Sequence, residues 1–87
     1  MAYLVVFTPS AERSVAKLDV GVARRIKPKI LTLADHPRPS GCLKLTGSRD
    51  LYRIRVGDYR IIYTIDDARQ LIEITLVAHR REVYRDL

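Results

Sequence analysis

The chain has a single cysteine, Cys42, and no apolar run long enough to cross a bilayer. One cysteine excludes an internal disulfide and a cysteine-based metal site, and it is in keeping with a reducing cytoplasm. Only two histidines are present, His36 and His79, and neither has a third ligand partner nearby in sequence, so no metal or other cofactor is implied. The apolar start, residues 1–7, falls far short of the ~20 residues of a spanning helix and lacks a preceding basic stretch. It reads as a buried first strand, with no membrane role. Repeats, low-complexity tracts and an interdomain linker are also missing, which leaves one domain over 1–87.

With 87 residues, 47% hydrophobic and 30% charged, the chain has an ordinary globular composition. A domain of this size buries only about 60–65% of its unfolded surface, so a bound partner weighs heavily in its stability. The charge is 16 − 10 = +6. Residues 1–48 hold eight Lys/Arg against three acids, and residues 49–87 hold eight against seven. The long-range field therefore comes from the first half, whereas the second half arranges its arginines locally. Such a balance points to an anionic partner, either nucleic acid or an acidic protein.

Residues 2–7 are expected as a strand. Thr8-Pro9 then signals a helix start, with Thr8 as N-cap, Pro9 at the first helical position and Glu12 in the first turn. This helix runs to about Leu18. Asp19 can cap a second one, whose stripe Val22, Ile26, Ile30 and Leu33 continues to about Asp35. Pro28 lacks an N–H and clashes with the carbonyl of Arg24, which predicts a kink or a split there. Residues 36–41 (HPRPSG) break the helix, and 43–50 read as loop.

The most informative stretch is 51–63, LYRIRVGDYRIIY. Tyr52, Ile54 and Val56 alternate with Arg53 and Arg55; after a Gly57-Asp58 turn, Tyr59, Ile61 and Tyr63 alternate with Arg60 and Ile62. This is a β-hairpin with an apolar face bearing core tyrosines and a second face on which Arg53, Arg55 and Arg60 converge. Asp66 to Arg69 form another turn. A last strand over 71–78 puts Ile72, Ile74, Leu76 and Ala78 on one side, with Thr75, Val77 and His79 opposite. The order β-α-α-β-β-β plus a short C-terminal helix or tail gives an α+β fold. Its helical hairpin covers one face of a small, mainly antiparallel sheet and leaves the arginine face open. Three guanidiniums on a rigid sheet suit phosphate, although a solvated face of an amphipathic sheet would carry the same residues.

Leu45-Thr46-Gly47, the hairpin from Tyr52 to Tyr63, and Ala78-His79-Arg80-Arg81-Glu82-Val83-Tyr84 together resemble the RelE family of toxins from toxin–antitoxin pairs, within the wider RelE/ParE superfamily. The hairpin marks the superfamily; the arginine segment closed by a tyrosine favours RelE over ParE. The resemblance covers essentially the whole chain. It implies a ribosome-dependent mRNA endoribonuclease, neutralised by a RelB-like antitoxin with which it forms a hetero-oligomer. On the matching positions it implies catalytic roles for Arg60, Arg80 and Tyr84, with Tyr84 stacking on a base, and RNA or phosphate binding by Arg53, Arg55 and Arg81.

Metal-free RNA cleavage requires the 2′-OH to attack phosphorus in line, with its proton taken, the phosphoryl charge stabilised and the leaving oxygen protonated. Arginine performs the middle task well, because its planar fork matches phosphate and stays charged. The family pattern has lysines where this chain has Arg53 and Arg55, and arginine is a poor base at neutral pH. Either Tyr84 or His79 then takes the proton, or the ribosome and substrate geometry carry most of the rate; His79 is expected on the arginine face by strand alternation. Two other readings stay open: a ParE-like inhibitor of DNA gyrase, and an inactive relative that binds RNA or antitoxin.

Overall fold

The structure, a computed structural model, describes residues 2–45 and 50–82. The elements are β1 (Leu4–Phe7), α1 (Pro9–Ala16), α2 (Val20–Thr32), β2 (Leu43–Lys44), β3 (Leu51–Val56), β4 (Tyr59–Asp66) and β5 (Leu71–His79). The five strands form one sheet in the order β1-β5-β4-β3-β2. β1 runs parallel to β5, and every other pair is antiparallel. This is the α+β arrangement expected, with a short edge strand β2 where 43–50 read as loop.

Local signals account for the helices. The Thr8 side chain accepts from the Ala11 N–H at 3.2 Å and donates to the Ile74 carbonyl at 3.2 Å, so the cap that starts α1 also ties it to β5. Asp19 occupies the N-cap of α2 but makes no side-chain cap bond. α2 passes unbroken through Pro28, which lies on its exposed side. The expected split does not occur: Arg24 and Pro28 are both exposed, so the bond lost at Pro28 lies on the solvent side of the helix.

Both helices cover one face of the sheet. Ala11, Ile26, Ile30 and Leu33 pack on Ile54, Ile61, Tyr63, Ile65, Ile72, Ile74 and Val77. Each fully buried isoleucine contributes about 1.5–3 kcal/mol of transfer free energy. Tyr52 and Tyr59 are half-buried against this core and Tyr63 is fully buried, the structural roles expected of the hairpin tyrosines.

One irregularity decides which way the end of β5 faces. Ile62 pairs with Leu76 but Tyr63 pairs with Ile74, so Thr75 is an extra residue in the ladder. Its hydroxyl donates to the Ile62 carbonyl at 3.1 Å. Past this bulge Val77 and His79 face the helices, while Leu76 and Ala78 turn to the other face. The simple alternation read from sequence over 71–79 is therefore wrong beyond Ile74.

At the sheet end away from the β3–β4 turn, a polar clasp holds the chain after α2. Arg38 pairs with Asp67 through Nη2–Oδ2 at 2.9 Å, and the Tyr3 hydroxyl donates to Asp67 at 2.6 Å. The Arg38 guanidinium also lies over the Tyr52 ring, 5.2 Å from its centroid. Hydrogen bonds from Arg38 and then Tyr3 hold the Asp67 carboxyl below its ordinary value. The Tyr63 hydroxyl donates to the Pro37 carbonyl at 2.8 Å and contacts Cys42 Sγ at 3.3 Å. Burial, followed by the Cys42 contact, pushes its pKa up.

Candidate functional site

The hairpin turn sets the geometry of the site. Gly57 has φ +59°, the left-handed first position of a tight two-residue turn, which fixes the register of β3 on β4. Arg55 then lies directly opposite Arg60, and Arg53 opposite Ile62. Opposed residues share a face, and residues two apart on one strand share it too. Arg53, Arg55 and Arg60 accordingly converge on the face away from the helices, as the sequence predicts.

That face is not the open surface expected. Ile62, Leu76 and Ala78 are buried there, with Leu45 and Leu51 packed against them. Arg60 is only 8% exposed, Arg53 is half-buried and Arg55 is exposed. The three cations thus lie at graded depths beside an apolar patch. Arg60 is held by the turn itself: its Nη1 donates to the carbonyls of Tyr59 at 3.2 Å and Gly57 at 3.4 Å. Carbonyl dipoles offset part of the repulsion between Arg60 and the like charge of Arg55 across the ladder.

Arg80 arrives at the same end of the sheet. Its main-chain N–H donates to the Asp58 carbonyl at 2.7 Å, which continues the β4–β5 register by one more step. Its Nε lies 4.0 Å from Asp58 Oδ1, with both side chains more than half exposed. The backbone bond is the stronger constraint, since exposed ion pairs contribute little. Arg81 is exposed in the turn after β5, and its N–H donates to His79 Nδ1 at 3.2 Å.

His79 does not join this set. The Thr75 bulge turns it onto the helix face, where its ring packs edge-on against Tyr59 with centroids 5.4 Å apart and an interplanar angle of 80°. Its expected place among the arginines is overturned. Tyr84 lies outside the described residues. Sequence reasoning missed Asp58 as the anchor of Arg80; its signal was the Gly-Asp turn, read only as a connection. It also missed the apolar patch, because Leu76 and Ala78 had been assigned to the opposite face.

The family relationships can be set against this geometry. A family model described as the ParE toxin of type II toxin–antitoxin system, parDE, matches residues 5–84. The toxin RelE of Mycobacterium tuberculosis is 31% identical over 84 residues, covering 95% of this chain and 87% of that protein. The mRNA interferase toxin RelE of Escherichia coli (strain K12) is 30% identical over 90 residues, covering 99% and 94%. Among solved structures, the archaeal RelE–RelB complex from Pyrococcus horikoshii gives a TM-score of 0.79 at 30% identity, over 92% of this chain and 97% of the matched one. The likeness therefore extends through the arginine hairpin and the end of β5, and the chain belongs to the RelE/ParE family of type II toxin–antitoxin toxins, on its RelE side.

Proposed function

We propose that this toxin inhibits translation by cleaving mRNA on the ribosome, without a metal ion, through attack of the substrate 2′-OH. The observation that carries the reading is the register placing Arg55 opposite Arg60, with Arg53 beside them and Arg80 held at the same end by Asp58. In this reading Arg60 and Arg80 stabilise the charge that builds on the phosphoryl oxygens, and Arg80 also assists the leaving 5′-oxygen. Arg53, Arg55 and Arg81 bind neighbouring phosphates, and Tyr84 stacks on a base. With His79 turned away, Tyr84 is the candidate left from the sequence for accepting the 2′-OH proton. The products are a 2′,3′-cyclic phosphate and a free 5′-OH.

A RelB-like antitoxin is the proposed partner, since the relative from P. horikoshii was solved as a RelE–RelB complex. Its contact segment is acidic in this reading, matching a chain of net charge +6. The two form a hetero-oligomer in the cytoplasm. No helix among the described residues is long and apolar enough to cross a membrane.

The matching family model bears the ParE description, which keeps gyrase poisoning as the second reading. One experiment separates the two. mRNA ends are mapped in cells after brief induction of the wild type, Arg80→Ala and Tyr84→Ala. Codon-phased cuts within translated regions, lost in both variants, are the expected result. Cuts that persist in both variants would refute the site assignment. Gyrase-dependent DNA breaks with intact mRNA would establish the second reading, and absence of toxicity would mark an inactive relative.

A further inference from the structure

The residues that formed no part of the arginine face build a second site around the edge of β5. β1 covers β5 only from Leu71 to Ile74, so among the described residues no strand pairs with this edge from residue 75 onward. A groove of about 600 Å³ opens there between α1 and the end of β5, within the range of about 300–1,000 Å³ usual for small-ligand sites. Arg13 and Lys17 line it from α1, and Tyr59, His79 and Glu82 line it from the sheet side.

Arg13 and Lys17 are four residues apart, so they project from one side of α1. The ion pairs seen among the described residues are Arg38–Asp67 and Arg80–Asp58, and neither draws on these two cations. Across the groove stands the Tyr59–His79 ring pair. His79 Nδ1 accepts from the Arg81 N–H, which puts the proton of the neutral ring on Nε2 as a donor. Glu82 is the only carboxylate in the lining among the described residues.

The edge itself is partly occupied. The Val77 N–H donates to Ser14 Oγ at 3.1 Å, and the His79 carbonyl accepts from the Glu82 N–H at 2.8 Å. An extended acidic peptide would therefore find two of the main-chain groups of this edge already taken. What remains is two cations, an imidazole donor and aromatic surface, the combination that recognises a phosphate with an attached base. The groove ends close to the arginine face: Leu76 and Ala78 are among its lining residues, and Arg80 follows His79 directly.

We propose that this groove is a second nucleotide subsite, which takes a nucleotide flanking the scissile one as the RNA turns around the end of β5. Its phosphate lies between Arg13 and Lys17, and its base lies against Tyr59 and His79. The inference rests on the reading of the protein as an RNA-cleaving toxin, but its test needs no cleavage.

The intact toxin is titrated with adenosine monophosphate and with a 2′-O-methylated RNA hexamer, which lacks the attacking hydroxyl. Binding is followed by amide chemical shifts and by anisotropy, in the wild type, Arg13→Ala/Lys17→Ala and Arg53→Ala/Arg55→Ala. The altered residues on α1 are exposed, and circular dichroism checks that the fold persists. The expected result is that the mononucleotide shifts the amides of residues 13, 17 and 79 in the wild type and in the Arg53/Arg55 variant. The Arg13/Lys17 variant binds the hexamer about tenfold more weakly, and its salt slope falls by about 0.7, the value for one phosphate contact on a single strand. Unchanged hexamer affinity and salt slope in that variant would overturn the subsite. So would a hexaglutamate peptide that shifts the groove amides where the mononucleotide does not, which would assign the groove to a protein partner. Failure of mRNA cleavage in cells refutes the previous reading without altering these binding results, so the two fail separately.

Discussion

The main-chain N–H of Arg80 donates to the carbonyl of Asp58 over 2.7 Å, so the position of this arginine is fixed by the hairpin turn and not by its side-chain ion pair. The turn thereby serves two arginines at once, because the carbonyls of Gly57 and Tyr59 on either side of Asp58 hold Arg60. Replacing Asp58 with Ala removes only an exposed carboxylate and leaves the carbonyl in place. Cleavage on programmed ribosomes should change by less than about fivefold, the limit set by an exposed ion pair. A loss of a hundredfold would show that the carboxylate itself aims Arg80.

Arg60 is the deepest of the hairpin cations, and a buried, pre-ordered donor stabilises developing charge better than a mobile one. Arg60→Ala should lower the single-turnover cleavage rate about 10²–10³-fold. Arg60→Lys should recover little of it, because a lysine ammonium lacks the planar fork. A variant within tenfold of wild type would place the chemistry elsewhere.

Thr75 is an insertion in the β4–β5 ladder, and its removal would make the pairing of Ile62 with Leu76 and Tyr63 with Ile74 regular. A chain lacking Thr75 should keep its fold, lose about 1 kcal/mol with the bond to the Ile62 carbonyl, and retain the contact between His79 and Tyr59. Nuclear Overhauser effects between the two rings read the outcome. Their loss, with His79 moved to the arginine face, would refute the assigned register.

Two groups at the far end of the sheet contribute to the pH dependence of stability. Tyr63 has its pKa raised, so its contribution is complete below the unfolded value near 10 and is lost as pH climbs above it. Tyr63→Phe should flatten that alkaline decline while lowering stability at neutral pH by about 1–3 kcal/mol, since the Pro37 carbonyl loses its donor. Asp67 behaves oppositely: its lowered pKa gives stability that is present above about pH 4 and is lost as pH falls through the folded value. Asp67→Asn should flatten the acid decline. Chemical denaturation across pH checks both, and unchanged slopes would refute the clasp.

Much of this was legible in the residues. Thr8-Pro9 announced α1 because capping is a local hydrogen bond, and Gly57-Asp58 announced the hairpin because a left-handed φ needs glycine. The arginine face followed from the two-residue period of a strand. Pro28 did not split α2, because it lies on the exposed side, away from the buried stripe of Ile26 and Ile30. β5 misled because Thr75 is a favourable strand residue, and nothing in its type marks it as extra.

The sequence by itself determined the order of elements and the gathering of Arg53, Arg55 and Arg60, since both depend on periods and turns spanning a few residues. The tertiary structure decided how deep Arg60 lies, that Asp58 holds Arg80, and that His79 leaves the arginines for Tyr59. Those outcomes depend on how β4 and β5 pair, and one bulged residue in that pairing reverses the face of every side chain beyond it.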